Sequence, residues 1–255
     1  MNKLSSGAKK LGLNLNSKQL EQFTIYYHEL VEWNKRINLT AITDYEEVQI
    51  KHFLDALTVT LAWRPPVGGT ELHLIDVGTG AGLPGIPLKI VFPALRLALL
   101  DATTKKAAFL RHLVSKLELD NVDIIVGRAE EVAHQTQCRE RFDLVLSRAV
   151  APLPALVELT LPFCAIGGRF IAQKKGDIAV ELSQAGGAIK LLGGEVREIK
   201  RIDLEEFDDK RQLIVIDKIS PTPRQYPRRP GVPMKRPLLI NETNNSRIFL
   251  EHQLH

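Results

Sequence analysis

Apolar and polar positions follow two different periods along this chain, and the switch between them divides it. Leu20, Phe23, Tyr27, Leu30 and Val31 recur at helical spacing behind Ser17, a candidate cap. A second helix fits Tyr45 to Ala62, closed by Pro65 and Pro66. From Glu71 the pattern changes to short apolar runs alternating with helical stretches. The runs predict strands at Leu72–Val77, Arg96–Leu100, Val122–Val126, Phe142–Leu146 and Gly168–Gln173. The intervening stretches predict helices at Pro84–Val91, Thr104–Leu117, Leu153–Leu161 and Asp177–Leu192.

Strands that are apolar on both faces and separated by helices imply a parallel sheet covered on both sides. Two further strands fit Glu195–Ile202 and Arg211–Lys218. The acidic turn between them is too short for a helical crossover, so they form an antiparallel hairpin at the sheet edge. Seven strands with one reversed match the sheet common to methyltransferases better than the dinucleotide-binding fold. The expected fold is therefore α/β and Rossmann-like, with a mostly parallel seven-stranded sheet and one antiparallel strand in its edge region. An N-terminal helical segment precedes it. The expected organisation is a loose N-terminus over 1–16, a helical substrate-side segment over 17–66, a cofactor domain over 67–218 and a proline-rich basic tail over 219–255.

Composition adds bounds. Apolar residues make up 44% and charged residues 25% of 255 residues, as in ordinary globular domains. No apolar run reaches the roughly 18 residues of a membrane span, and the N-terminus lacks the apolar core of a secretory signal. Cys138 and Cys164 have no metal-like spacing and read as reduced thiols of a cytoplasmic protein. No metal and no membrane partner are expected. No coiled-coil pattern is evident, so a monomer is expected. A net charge of +4 is a weak nucleic-acid signal by itself. Its distribution is more telling: Arg224, Arg228, Arg229, Lys235 and Arg236 lie among recurring prolines in the tail, without an acid between Ile219 and Arg236. That stretch should be extended or polyproline-like.

The chemistry concentrates where the first strand ends. In LIDVGTGAGLPG, Asp76 is followed at once by Gly78, Gly80, Gly82 and Gly85. A buried strand feeding a glycine turn and then a helix brings bare main chain and free N–H groups to a ligand. Gly80, Gly82 and Gly85 also satisfy the dinucleotide fingerprint, with Asp101 at a fitting distance. Two features favour S-adenosylmethionine over NAD. A carboxylate at Asp76 would repel a pyrophosphate and attract a methionine ammonium. Pro84 removes a donor that a pyrophosphate would use. Asp101, at the end of the second strand, can accept both ribose hydroxyl protons, at roughly 1.5–3 kcal/mol each. It can equally cap the helix that follows Thr103. After the third strand, Ala129 and Glu130 are candidates for the adenine pocket; Glu130 and Glu131 also suit a helix dipole.

The fourth strand ends in Ser147-Arg148-Ala149, where the transferable methyl group would lie. The Asn-Pro-Pro-aromatic or Asp-Pro-Pro-aromatic tetrad of amine methylases is missing there. So is the cysteine nucleophile that a carbon-5 pyrimidine methylase needs. The acceptor should already own a lone pair, as guanine N7 does.

Together LIDVGTGAGLPGIPL, LLDATTKKAAFLRHL, GRAEE, LSRAVAPL and IAQKKG resemble one family, RsmG, also called glucose-inhibited division protein B. WNKRINLTAI (Trp33 to Ile42) and KHFLDAL (Lys51 to Leu57) look like its N-terminal signatures. The resemblance covers Gln19 to Lys218; His73 and Thr104 are small departures. It implies a class I methyltransferase that methylates guanine N7 in 16S ribosomal RNA, alone or within a small-subunit particle. It implies S-adenosylmethionine held by Gly78, Leu83, Asp101, Ala102, Thr103, Ala129 and Glu130, with Arg148 near both cofactor and target. Direct in-line transfer needs no general base, so Arg148 is a positioning residue. For RNA capture the candidates are Arg36, Lys51, Lys174, Lys175 and the tail cations, each of which also reads as a solvated surface charge. Asn38 and Asp55 are candidates for the substrate side, although Asp55 can equally pair with Lys51 one turn back. His52 can stack on a base or be structural; Tyr226 can stack on RNA or pack on the domain. An NAD-dependent oxidoreductase and a non-catalytic ribosome-assembly RNA binder are the competing readings.

Overall fold

The computed structural model describes residues 1–64 and 72–239. The expected closure of the second helix at Pro65 and Pro66, the boundary at 66/67 and residues 240–255 of the tail lie outside them. Seven strands form one sheet: β1 (His73–Val77), β2 (Arg96–Asp101), β3 (Val122–Val126), β4 (Phe142–Arg148), β5 (Cys164–Lys175), β6 (Gly194–Ile202) and β7 (Arg211–Lys218). Their order is β3-β2-β1-β4-β5-β7-β6. The first five are parallel, and β7 runs antiparallel to both β5 and β6. The sheet is thus the Rossmann-like one that the alternating pattern implies.

Strand alternation supplies two cores. Leu74, Leu97, Leu99, Leu144, Leu146 and Ile171 point to one face; Ile75, Val77, Ala98, Leu100, Val145 and Phe170 point to the other. The N-terminal helices share the first of these cores, so they are continuous with the sheet rather than a separate body. The Ser17–Asn34 helix buries Phe23, Tyr26 and Leu30; Tyr26, not Tyr27, faces inward. Its cap is Asn16, one residue before Ser17: the Asn16 side chain accepts from the Gln19 amide, and the Gln19 side chain accepts from the Asn16 amide. Residues 45–61 form one helical run that widens into a π-helix over Gln49–Leu54 and tightens into a 3-10 turn over Thr58–Leu61.

The loose N-terminus is corrected. Asn2–Lys10 is a helix whose Leu4 and Ala8 are fully buried, with Leu11 and Leu13 beside them. Spacings of four and three residues put Leu4, Ala8 and Leu11 on one face, and that face closes the core above Leu54. Leu4→Ala should therefore lower unfolding free energy by about 2–5 kcal/mol, as deletions of buried leucine do. Urea titration checks this; a change within about 0.5 kcal/mol would return residues 1–16 to a solvated tail.

The C-terminal segment also departs from a plain extended chain. It turns repeatedly, makes a short helix at Val232–Lys235, and lies against the second core through Tyr226 and Leu238. Pro233 sits in the first turn of that helix, where a missing N–H is harmless. Among the described residues, no helix is long and apolar enough to cross a membrane.

Candidate active site

The glycine turn is built by close approach. Gly78 adopts φ +73°, and a β-carbon there would stand 2.5 Å from Val150 Cγ2. Gly82, at φ +92°, would press on Ile86 and on the Tyr26 hydroxyl, which donates to the Ala81 carbonyl at 2.6 Å. Only glycine fits these positions.

Asp76 lies fully buried beneath the turn. Its Oδ2 accepts from the Thr79 hydroxyl (2.7 Å) and the Gly85 amide (2.9 Å), fastening both ends of the turn. Its Oδ1 has no partner. A buried acceptor left unpaired is unfavourable and calls for a donor. Burial pushes its carboxyl up to about 6, against the pull of the Thr79 and Gly85 hydrogen bonds and of Arg148. Asp101 ends β2 and accepts from the Gly80 amide (3.0 Å) and the Thr103 amide (2.8 Å), with Lys106 Nζ at 3.8 Å. It joins the glycine turn to the second loop and steadies the start of the Thr104–Lys116 helix.

A cavity of about 300 Å³ opens over these strand ends. Gly78, Asp101, Ala102, Ala129 and Glu130 line it, together with Val77, Leu100, Gly127, Arg128, Val150, Leu159 and Met234. Of the other cofactor candidates, Asp76, Gly80, Gly82, Leu83 and Thr103 are not in its lining. Leu83 belongs to the first core, and the rest shape the loops from behind. The residues present fit S-adenosylmethionine on three grounds: the Asp76 carboxylate with an unpaired oxygen behind the glycine turn, the bare main chain at Gly78, and the Asp101 carboxylate in the lining of the cleft.

A second cavity, also about 300 Å³, lies on the other side of the β4 end. Lys51, His52, Asp55, Arg148, Ala149, Lys174 and Lys175 line it, as do Ile42 and Gln173, which the sequence did not single out. The β4 terminus is the partition. Arg148 and Ala149 face this cavity, Val150 faces the first, and Ala149 takes φ +56°, an uncommon conformation for a side-chain-bearing residue. Ser147 ties the partition to β1 by donating to the Val77 carbonyl at 2.9 Å.

Charge pairing in this second cavity differs from expectation. Asp55 does not pair with Lys51. It holds Arg148 Nη1 at 2.9 Å and Arg211 Nη1 at 2.5 Å. Arg211, fully buried with its guanidinium 4.0 Å over the Phe207 ring, is the main member that sequence reasoning missed. The available signal was a lone arginine opening the apolar strand RQLIVIDK. Gln173 donates to the Asp55 carbonyl at 2.6 Å. Lys51 bonds Glu47 at 2.9 Å and lies 3.6 Å from Asp208. His52 is buried, with Nε2 at 2.7 Å from the Thr40 hydroxyl and Nδ1 at 3.1 Å from the Lys51 carbonyl. Burial, then Arg148, lowers its imidazole to about 4, so it is neutral near pH 7. A carbonyl can only accept, so Nδ1 carries the proton and Nε2 accepts from Thr40. This is the structural reading of His52.

The expected RNA-capturing cations divide. Lys174 is largely enclosed, bonding Glu181 (2.7 Å) and the Ala151 carbonyl (2.8 Å). Arg228 is taken by Glu158. Lys175 is half-exposed beside Asp209 at 3.1 Å. Arg36 and Asn38 are exposed and lie outside the cavity lining. Tyr226 packs on the domain rather than standing free. Both cysteines are buried free thiols, and burial pushes Cys164 up to about 12, so it is no nucleophile. Among the described residues, no cluster of His, Cys, Asp or Glu could hold a metal ion.

A cofactor-type cavity and a cation-lined cavity thus meet across one strand end. The family model described as GidB, rRNA small subunit methyltransferase G, matches residues 19–214. The chain belongs to this family. Among curated relatives, the ribosomal RNA small subunit methyltransferase G of Dehalococcoides mccartyi is 54% identical over 239 residues, covering 94% of this chain and all of the relative. That of Lachnoclostridium phytofermentans is 48% identical, covering 91% and 95%. Solved structures are similar in fold alone. A putative O-methyltransferase from Klebsiella pneumoniae has a TM-score of 0.51 at 15% identity, covering 76% of this chain and 90% of that one. A mutant of the protein MtNAS in complex with S-adenosylmethionine has a TM-score of 0.50 at 16% identity, covering 85% and 77%. The family match sets aside the NAD-dependent oxidoreductase.

Proposed function

We propose that this protein transfers a methyl group from S-adenosylmethionine to N7 of a guanine in 16S ribosomal RNA. The observation that carries the reading is the pair of cavities at the β4 end, one lined by Arg148 and Ala149 and the other by Val150. When bound, S-adenosylmethionine supplies a methyl group already activated on a sulfonium sulfur. Asp101 would accept the ribose hydroxyls, Ala129 and Glu130 would flank the base, and the charge of the Asp76 carboxylate, buried behind the turn, would favour the ammonium. On the other side Arg148, held by Asp55, offers N–H donors to the O6 edge of a guanine while Lys51 and Lys175 meet phosphates. Guanine N7 owns a free lone pair, so no residue has to remove a proton. The protonated Cys164 and the hydrogen-bonded, neutral His52 suit that economy. The protein's contribution is then positioning and the exclusion of water. An intact Asp76, Asp101 and glycine set argues against a non-catalytic assembly factor.

The test is to map N7-methylguanine in 16S ribosomal RNA from cells with and without this protein, and in small subunits treated with it. Absence of any difference overturns the proposal.

A pH prediction follows from Asp76. Its buried carboxyl titrates near 6, so it is largely neutral below that pH and charged above it. Affinity for S-adenosylmethionine should rise as pH increases from 5 to 7 and then level off. In Asp76→Asn that rise should vanish. Isothermal titration at several pH values checks this; a pH-independent affinity in the unaltered protein contradicts the assignment of Asp76 to the ammonium.

A further inference from the structure

We propose that the proline-rich segment after β7 is the outer wall of the cofactor cleft, and that Met234 packs on the adenine ring there. The inference rests on S-adenosylmethionine being the occupant of that cleft. Three observations carry it.

First, the segment is latched. Glu158, whose carboxylate is fully buried, receives the Arg228 amide (2.7 Å), Nε (2.9 Å) and Nη2 (2.6 Å). The same Nη2 donates to the Arg236 carbonyl at 2.7 Å, so one guanidinium clasps both ends of residues 228–236. A bidentate pair with a buried carboxylate fixes orientation as well as position. Upstream, Arg139 donates to the Thr222 and Tyr226 carbonyls (2.8 and 2.9 Å).

Second, the latch reaches the cofactor side directly. The Gly231 amide donates to Glu130 Oε1 at 2.8 Å, and Glu130 lines the cleft. Leu159, next to the latched Glu158, lines it too.

Third, Met234 lines the cleft but leaves 49% of its surface exposed. A thioether held over an open cleft beside the β3 loop is placed to meet a flat aromatic base, for which methionine has a favourable contact. The segment's prolines and the Arg228 clasp pre-organise it, so little ordering is required when the ligand enters.

The chain contains only two methionines, Met1 and Met234. In protein labelled at the methionine methyl carbons, adding S-adenosylhomocysteine or adenosine should move the Met234 methyl resonance by a ring-current shift and leave Met1 in place. Met234→Ala should weaken binding of both ligands by about three- to tenfold, and Met234→Leu by no more than about twofold. Because Met234 is half-exposed, neither change threatens folding. Arg228→Ala should weaken the same ligands in the same direction. If the unaltered protein binds S-adenosylhomocysteine and neither the resonance nor the Met234→Ala affinity changes, the wall proposal is overturned while the cofactor reading stands. If it binds neither ligand, both fall.

Discussion

Arg148→Ala should lower the kcat/KM for RNA by about 100-fold while leaving affinity for S-adenosylmethionine within about threefold. Arg148 lies on the substrate side of the β4 partition, and Asp55 holds its guanidinium at 2.9 Å. Its loss removes an oriented donor for the target base but nothing from the lining of the first cavity. Misplacing a reactant by a fraction of its contact distance is worth losses of this order. Arg148→Lys should recover little, because an ammonium cannot reproduce the planar fork. Single-turnover methylation of small subunits, with cofactor affinity measured separately, checks both halves. Equal losses in RNA turnover and cofactor affinity would move Arg148 to the cofactor side.

Asp101→Ala should have the opposite signature: cofactor affinity falling by about 100-fold, with little change in RNA binding. The carboxylate anchors the Gly80 and Thr103 amides and faces the cleft, so its removal loosens two loops and deletes the ribose acceptor. Hydrogen bonds to charged groups contribute about 1.5–3 kcal/mol each, so one or two of them account for the factor. A cofactor analogue lacking the ribose 2′-hydroxyl separates the two effects. It should bind the unaltered protein less tightly than S-adenosylhomocysteine does, and Asp101→Ala equally to it. If the analogue loses the same factor with both proteins, Asp101 does not contact the ribose.

Local patterns made most of the sheet legible. Most strands are apolar runs bounded by turn residues, β6 with its charged positions being the exception, and each of the seven observed strands coincides with an expected one within a few residues. The glycine turn was legible because strand, acid and glycines are contiguous. What escaped was either marginal locally or distant in sequence. The Asn2–Lys10 helix carries few apolar residues among its lysines, so its burying face is narrow. The cap shifted from Ser17 to Asn16 because both residue types can cap, and the Gln19 partner decides between them. The Asp55–Arg211 pair and the Glu158–Arg228 latch join positions far apart in the chain. Charge patterning along a helix or strand reports only neighbours a turn away. For the same reason the tail's cations looked available, whereas Arg228 is already engaged.

The two cavities meet at one strand end, with Arg148 and Ala149 on one side and Val150 on the other. Direct transfer requires cofactor and guanine to occupy their own sides at the same time. Kinetically this means a ternary complex rather than a methylated-protein intermediate. Double-reciprocal plots against the two ligands should therefore intersect rather than run parallel.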